Sequence, residues 1–193
     1  MTKNKQSVDL IKKKAIFMKA RQTKTKNYIK TALTQLLREK NFEEISVTMI
    51  CQKAGINRGT FYLHYLDKYD MMEQQKEETL AHFFTLLQSY EGLNHESLET
   101  ALTYIAEQKD FFYALSQSSY VNLPQAIKNF ISTLFDRSPR LSQSLLTSSQ
   151  IPIIYQKISV IASIEAIISH WIQEGCQESP QYMANILQSI ALQ

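Results

Sequence analysis

The stretch Asn57 to Lys68, N-R-G-T-F-Y-L-H-Y-L-D-K, puts an arginine, hydroxyls and aromatic side chains on one short element. Groups of this kind hydrogen-bond to base edges and phosphates in a DNA groove. Arg58 offers a planar fork that fits guanine O6 and N7. Thr60, two residues on, can meet a thymine methyl or a phosphate. Asn57 has two uses, as a helix cap and as a contact to a base or phosphate. Gly59 has no side chain and would let a DNA backbone or base edge approach closely. Ser46 and Thr48 lie just upstream, where Thr48 can meet the DNA backbone or a neighbouring base.

Positioning those groups takes two short helices and a sharp turn. Ser46 is a natural N-cap for the first helix, and Ile50 and Ala54, four apart, share its buried face. Met49 gives Ser46 no acidic partner for a capping box. Gly55 stands where the chain must turn, because glycine alone takes φ > 0 without steric cost. Asn57 then caps a second helix carrying Thr60, Phe61, Tyr62, His64 and Tyr65. Phe61 and Tyr65 are assigned to its buried face and Tyr62 to its outer face. The arrangement is a helix-turn-helix, whose second helix lies in the major groove.

Charge agrees with that placement. Residues 1–72 hold 15 Lys/Arg against 6 Asp/Glu, a balance of +9, while residues 73–193 hold 6 against 12, a balance of −6. The basic part attracts a polyanion and the acidic remainder does not. Residues 1–24 read as a basic arm, residues 25–72 as the DNA-binding domain and residues 73–193 as a helical regulatory and dimerisation domain. Cys51 and Cys176 are far apart, match no metal or redox spacing, and Cys51 fits the inner face of the helix pair. His82, His95, His170 and Cys176 are too dispersed for a metal site. Nucleophile–base pairs, phosphate-cradling glycine loops and paired carboxylates are all missing, so neither an enzyme nor a cofactor is expected. The Lys-rich start is not followed by an apolar run with a cleavage site, and Ile151 to Ile172 is interrupted by Gln156, Lys157 and Glu165. A cytoplasmic protein without membrane contact is expected.

Four Gly and four Pro leave few breaks, and no stretch alternates with period two, so the fold is all-α. A first helix is expected over about Thr25–Lys40, with Tyr28, Ala32, Leu33, Leu36 and Leu37 inward. Asp67 caps a long helix reaching about Tyr90. Further helices are expected over Ser97–Gln108, Asp110–Gln117, Leu123–Phe135 and Leu141–Leu146. A strong helix starts with Pro152 in its first turn and ends at Gly175. The last is opened by Ser179 and Pro180. The strong helix is apolar around much of its circumference, so more than one side must be covered. A second subunit is expected to cover one flank, through Ile158, Ile161, Ile168 and Trp171 with Ile186 of the last helix. A single recognition helix gives too little specificity, whereas a two-fold dimer spaces two by about one DNA turn, roughly 34–36 Å.

The segment A-G-I-N-R-G-T-F-Y-L-H-Y-L-D-K, preceded by S-V-T-M-I-C, resembles the DNA-binding domain of the tetracycline-repressor (TetR) family. The ending W-I-Q-E-G followed by S-P-Q-Y-M-A resembles a branch common in low-GC Gram-positive bacteria. Cys51 replaces a common Ala. The resemblance implies an N-terminal three-helix domain joined by a long helix to a C-terminal ligand-binding and dimerisation domain. It also implies that Tyr62, His64 and Lys68 grip phosphates. By the same resemblance a small apolar or aromatic effector binds the C-terminal half; on their aromatic character, Phe84, Tyr104, Phe112, Phe130 and Tyr155 are the expected lining of an apolar pocket there. The expected function is a homodimeric, sequence-specific repressor of double-stranded DNA released by that effector. The alternative is a DNA-bound factor that engages a protein partner and no small molecule.

Overall fold

The computed structural model describes residues 23–88, 94–137 and 151–191. The arm up to residue 22, the loop at Ser138–Pro139 and the expected helix Leu141–Leu146 lie outside the described residues. All extended regular structure within them is helical, as the periodicity required. The chain divides into two compact units, Met1–Lys40 with Glu44–Gln75, and Asn41–Glu43 with Lys76–Gln193.

The first unit contains α1 (residues 23–37), α2 (Val47–Ala54), α3 (Arg58–Tyr62) and the start of α4 (Lys68–Gln88). Helix α1 is already helical at the first described residue, 23, and ends at residue 37, three before the expected end. Its buried row is Ile29, Ala32, Leu33, Leu36 and Leu37, while Tyr28, expected inward, is 47 % exposed. Ile29 and Leu33 are four apart and Leu33 and Leu37 again, which directs one stripe at the core. Ile45, Ile50, Cys51, Phe61, Tyr65, Met71 and Met72 complete that core. The Cys51 thiol is pushed up by burial, which keeps it protonated and unreactive.

The second unit holds the rest of α4 with α5 (His95–Glu107), α6 (Lys109–Ser116), α7 (Leu123–Arg137), α8 (Ile153–Gln173) and α9 (Pro180–Ala191). Helix α9 packs on α5 and α8, and α8 also packs on α6 and α7. Asn94 starts α5 two residues ahead of the expected span, because its side chain and that of Ser97 close a reciprocal capping box. Pro152 is the cap before α8 rather than a residue of its first turn. Phe42, in a 3-10 turn over Phe42–Glu44, belongs to this unit and stacks on Tyr120 at 4.7 Å between ring centroids. Glu165 is buried on α8, where Ser169 Oγ donates to it at 2.8 Å and Lys128 of α7 pairs with it at 3.3 Å. A buried carboxylate needs such partners to be tolerated.

Candidate nucleic-acid interface

The turn between α2 and α3 is built by local hydrogen bonds. Ser46 Oγ accepts the Met49 N–H at 3.2 Å and so caps α2 without a capping box. Gly55 takes φ +66°, which lets its own N–H reach Gln52 O and the Ile56 N–H reach Cys51 O. Those two bonds satisfy the last carbonyls of α2 and reverse the chain within two residues. Asn57 Oδ1 then accepts both the Thr60 N–H, at 2.8 Å, and the Thr60 hydroxyl, at 2.9 Å. The cap therefore occupies the Asn57 oxygen, and any contact from Asn57 to DNA falls to its NH2 group.

Helix α3 is only five residues long. Its backbone pattern ends at Tyr62, and the His64 and Tyr65 N–H groups both turn back to Phe61 O. His64 and Tyr65, expected on the helix, follow it in a turn, because Leu63 already closes the last turn of α3. Phe61 and Tyr65 are buried while Tyr62 is 48 % exposed, so the single turn still divides as the spacing required. Gln75 Nε2 donates to the Tyr65 hydroxyl at 3.3 Å, which satisfies it inside the core.

Arg58, Gly59 and Tyr62 stand together on the exposed face of α3. Arg58 Nη2 donates to Tyr62 Oη at 3.1 Å. At Gly59 an added Cβ would meet only Asn57 Oδ1, at 3.5 Å, an ordinary van der Waals distance. Among the described residues nothing requires glycine there, although glycine weakens a helix. Thr48 is exposed, while Thr60, His64 and Lys68 are half-buried. Burial, reinforced by the nearby Lys26 charge, holds His64 below the usual imidazole range.

At the start of α4, Asp67 Oδ1 accepts the N–H groups of Tyr69 and Asp70, each at 2.8 Å. Asp70 Oδ2 accepts the Leu66 N–H at 2.7 Å, a bond that holds the Asp70 carboxyl below its ordinary range. Two first-turn donors of α4 thus already face a carboxylate, so an anion near Lys68 would rely on the ammonium rather than on the helix terminus.

The second unit separates the residues assigned to a pocket. Phe84 and Phe130, 4.9 Å apart, line a cleft of about 270 Å³ between α4 and α7. Tyr104 lines a different cleft of about 380 Å³, with His82 and the carboxylates of Glu96, Glu99 and Glu107. Phe112 is buried against Phe83 and Tyr104 and lines neither cleft. Tyr155 is 62 % exposed at the start of α8, where it too lines neither. The aromatic criterion missed Gln125, Asn129 and Thr133 on the α4–α7 cleft. Their spacing of four along α7 was the signal that could have placed them on one face.

The residues assigned to a dimer face also divide. Ile158 is 55 % exposed, and Ile161, Ile168 and Ile186 are half-buried. Trp171 is 1 % exposed, and its Nε1–H donates to Glu178 O at 3.1 Å. Its ring is covered by its own unit, so it has almost no surface to offer a second subunit. The exposed apolar stretch is instead Ile151, Ile153, Ile154, Tyr155 and Ile158, at the opposite end of α8 from Trp171.

Residues 29–74 match the bacterial regulatory proteins of the tetR family, and residues 94–193 match a transcriptional regulator C-terminal region of the same group. The chain belongs to the TetR family. Members of this family are transcriptional regulators rather than enzymes, and the TetR-type helix-turn-helix of this chain is a DNA-binding module. An uncharacterized HTH-type transcriptional regulator of Bacillus subtilis (strain 168), YxbF, is 24 % identical over 165 residues, 79 % of this chain and 41 % of that protein. The chain spans less than half the length of such curated relatives. Its TetR fold is shared with a TetR transcriptional regulator from Streptococcus agalactiae 2603V, at TM-score 0.62 and 22 % identity over 93 % of this chain and 99 % of that one. It is shared also with the fatty acid degradation regulator FadR from Bacillus halodurans, at TM-score 0.65 and 16 % identity over 87 % and 94 % of the two chains. Among the described residues of this TetR-family chain, no helix is long and apolar enough to cross a membrane.

Proposed function

We propose that this chain is a homodimeric repressor that grips a pseudo-palindromic operator through α3 and lets go when a small effector binds its C-terminal unit. The observation that carries the DNA contact is the outer face of α3, where Arg58 and Tyr62 flank a glycine that none of the described residues requires. In this arrangement Arg58 and Thr60 face base edges, and Tyr62, His64 and Lys68 face phosphates. Selection of bound sequences from a random DNA pool tests the assignment. Two inverted half-sites about one turn apart are expected; a pool without half-site symmetry counts against the operator reading. Lys68→Ala is expected to weaken all sequences alike and to lower the salt slope by about one. A salt titration with the wild-type slope would remove Lys68 from the phosphate contacts.

His64 gives that contact a pH dependence. Free His64 is neutral at pH 7, since burial and Lys26 depress its affinity for a proton. A phosphate beside it favours the imidazolium, so operator binding takes up a proton and tightens as pH falls from 8 to 6. About tenfold is expected for each unit by which DNA raises the imidazole. His64→Gln should flatten the profile; an unchanged slope in this variant rules His64 out. The free fold responds oppositely, because a depressed folded-state imidazole lets the unfolded chain protonate first below about pH 6.5.

The α4–α7 cleft suits a small effector with an apolar body. Leu80, Phe84, Val121, Ala126 and Phe130 supply its apolar wall, and Gln125 and Asn129 supply carboxamides. Helix α4 is continuous over Lys68–Gln88 and contains neither Gly nor Pro. The exposed start of α8 also motivates the alternative, docking of an unrelated protein. Sedimentation separates the two, since a purified dimer favours pairing of like chains and a monomer favours the alternative.

A further inference from the structure

We propose that Tyr62 is a positioning residue for Arg58, setting the angle at which the guanidinium meets the bases; this rests on the assignment of Arg58 to base reading. Arg58 opens α3 and Tyr62 closes it, four residues apart and on one face. The bond from Arg58 Nη2 to Tyr62 Oη is 3.1 Å long, and the guanidinium carbon lies 5.8 Å from the centre of the Tyr62 ring. The ring in turn stands edge-on to Phe61, with centroids 5.6 Å apart and planes at 88°. Phe61 is fully buried, so a line of contacts runs from the core through Tyr62 to the guanidinium.

A bidentate contact to guanine needs the guanidinium plane in one orientation. Arginine is long and loses much rotamer freedom when fixed, so a side chain already held loses less on binding. One of its five N–H groups goes to Tyr62, and the remaining donors can serve a base edge. Exposed to water, the bond is weak. Closing DNA over α3 excludes water and strengthens it. The Tyr62 oxygen accepts in this bond and keeps its own proton, which it can donate to a phosphate. One hydroxyl thereby links the angle of base reading to the register of the backbone.

Binding of the selected operator and of its single-base variants tests this with Arg58→Ala, Tyr62→Phe and the double variant. Tyr62→Phe keeps the ring and alters one exposed hydroxyl, so an unchanged unfolding midpoint is expected. Arg58→Ala should reduce discrimination at one base pair per half-site by about 5- to 150-fold. Tyr62→Phe should reduce discrimination at that same base pair by about 2- to 10-fold, with no further loss when Arg58 is already Ala. Full discrimination there in Tyr62→Phe, whatever its overall affinity, overturns the proposal. So does a Tyr62→Phe loss of equal size with and without Arg58. If Arg58→Ala leaves base preference unchanged, the base-reading assignment itself fails, and the role of Tyr62 falls with it.

Discussion

Gly59→Ala is expected to fold at least as stably as the wild type and yet to bind operator roughly 5- to 150-fold more weakly. The two effects have opposite signs because they depend on different surroundings. In the free protein the new methyl meets only Asn57 Oδ1, at an ordinary 3.5 Å. Alanine is also the better helix former, by up to about 1 kcal/mol, less near a terminus. Against DNA the same methyl enters a packed interface, where overfilling costs about 1–3 kcal/mol. Thermal unfolding and fluorescence anisotropy on one preparation read both quantities. A variant with wild-type operator affinity would show that no DNA group approaches Gly59. A destabilised variant would instead show that the fold needs the glycine.

The second large effect concerns the exposed end of α8. Ile154→Glu with Ile158→Glu is expected to give a monomer in sedimentation and an operator affinity lower by about 10²–10⁴-fold. The loss arises because the second half-site is then no longer engaged from an effectively high local concentration. Both isoleucines are more than half exposed, so the folded unit itself should lose little. What changes is the concentration dependence of unfolding, present in a dimer and missing in the variant. A double variant that stays dimeric with full operator affinity moves the subunit interface elsewhere.

The helix-turn-helix was legible in the sequence because its determinants act within three or four residues. Ser46, Gly55 and Asn57 cap or turn through bonds to atoms of their own segment, and the structure contains each bond. The length of α3 was less legible. His64 and Tyr65 continue a helical pattern of apolar and polar residues, but the chain leaves the helix at Leu63, and Asp67 opens α4 only four residues later. That competition between two helix ends is not written in the periodicity.

Faces were harder to read than elements. The apolar pattern of α8 required cover on more than one side, and nothing in it says which residues their own unit covers. Trp171 and Ile158 look equivalent in sequence, but one is sealed inside the unit and the other stands in solvent. Aromatic content likewise nominated Phe84, Phe112 and Tyr155 together, and packing placed them against a cleft, in the core and at the surface.

By itself, then, the sequence determined the all-α character, the helix-turn-helix with its caps, the family, and the chemistry displayed on α3, all consequences of local bonding and spacing. Tertiary structure alone decided which flank of α8 is left bare, that Phe84 and Tyr104 line different clefts, and that Asp67 occupies donors beside Lys68. It also decided that Arg58 bonds to Tyr62 rather than pointing freely outward. Burial and side-chain pairing depend on elements far apart in the chain, or on which of several near-equal rotamers the neighbours permit, and spacing along one helix carries neither.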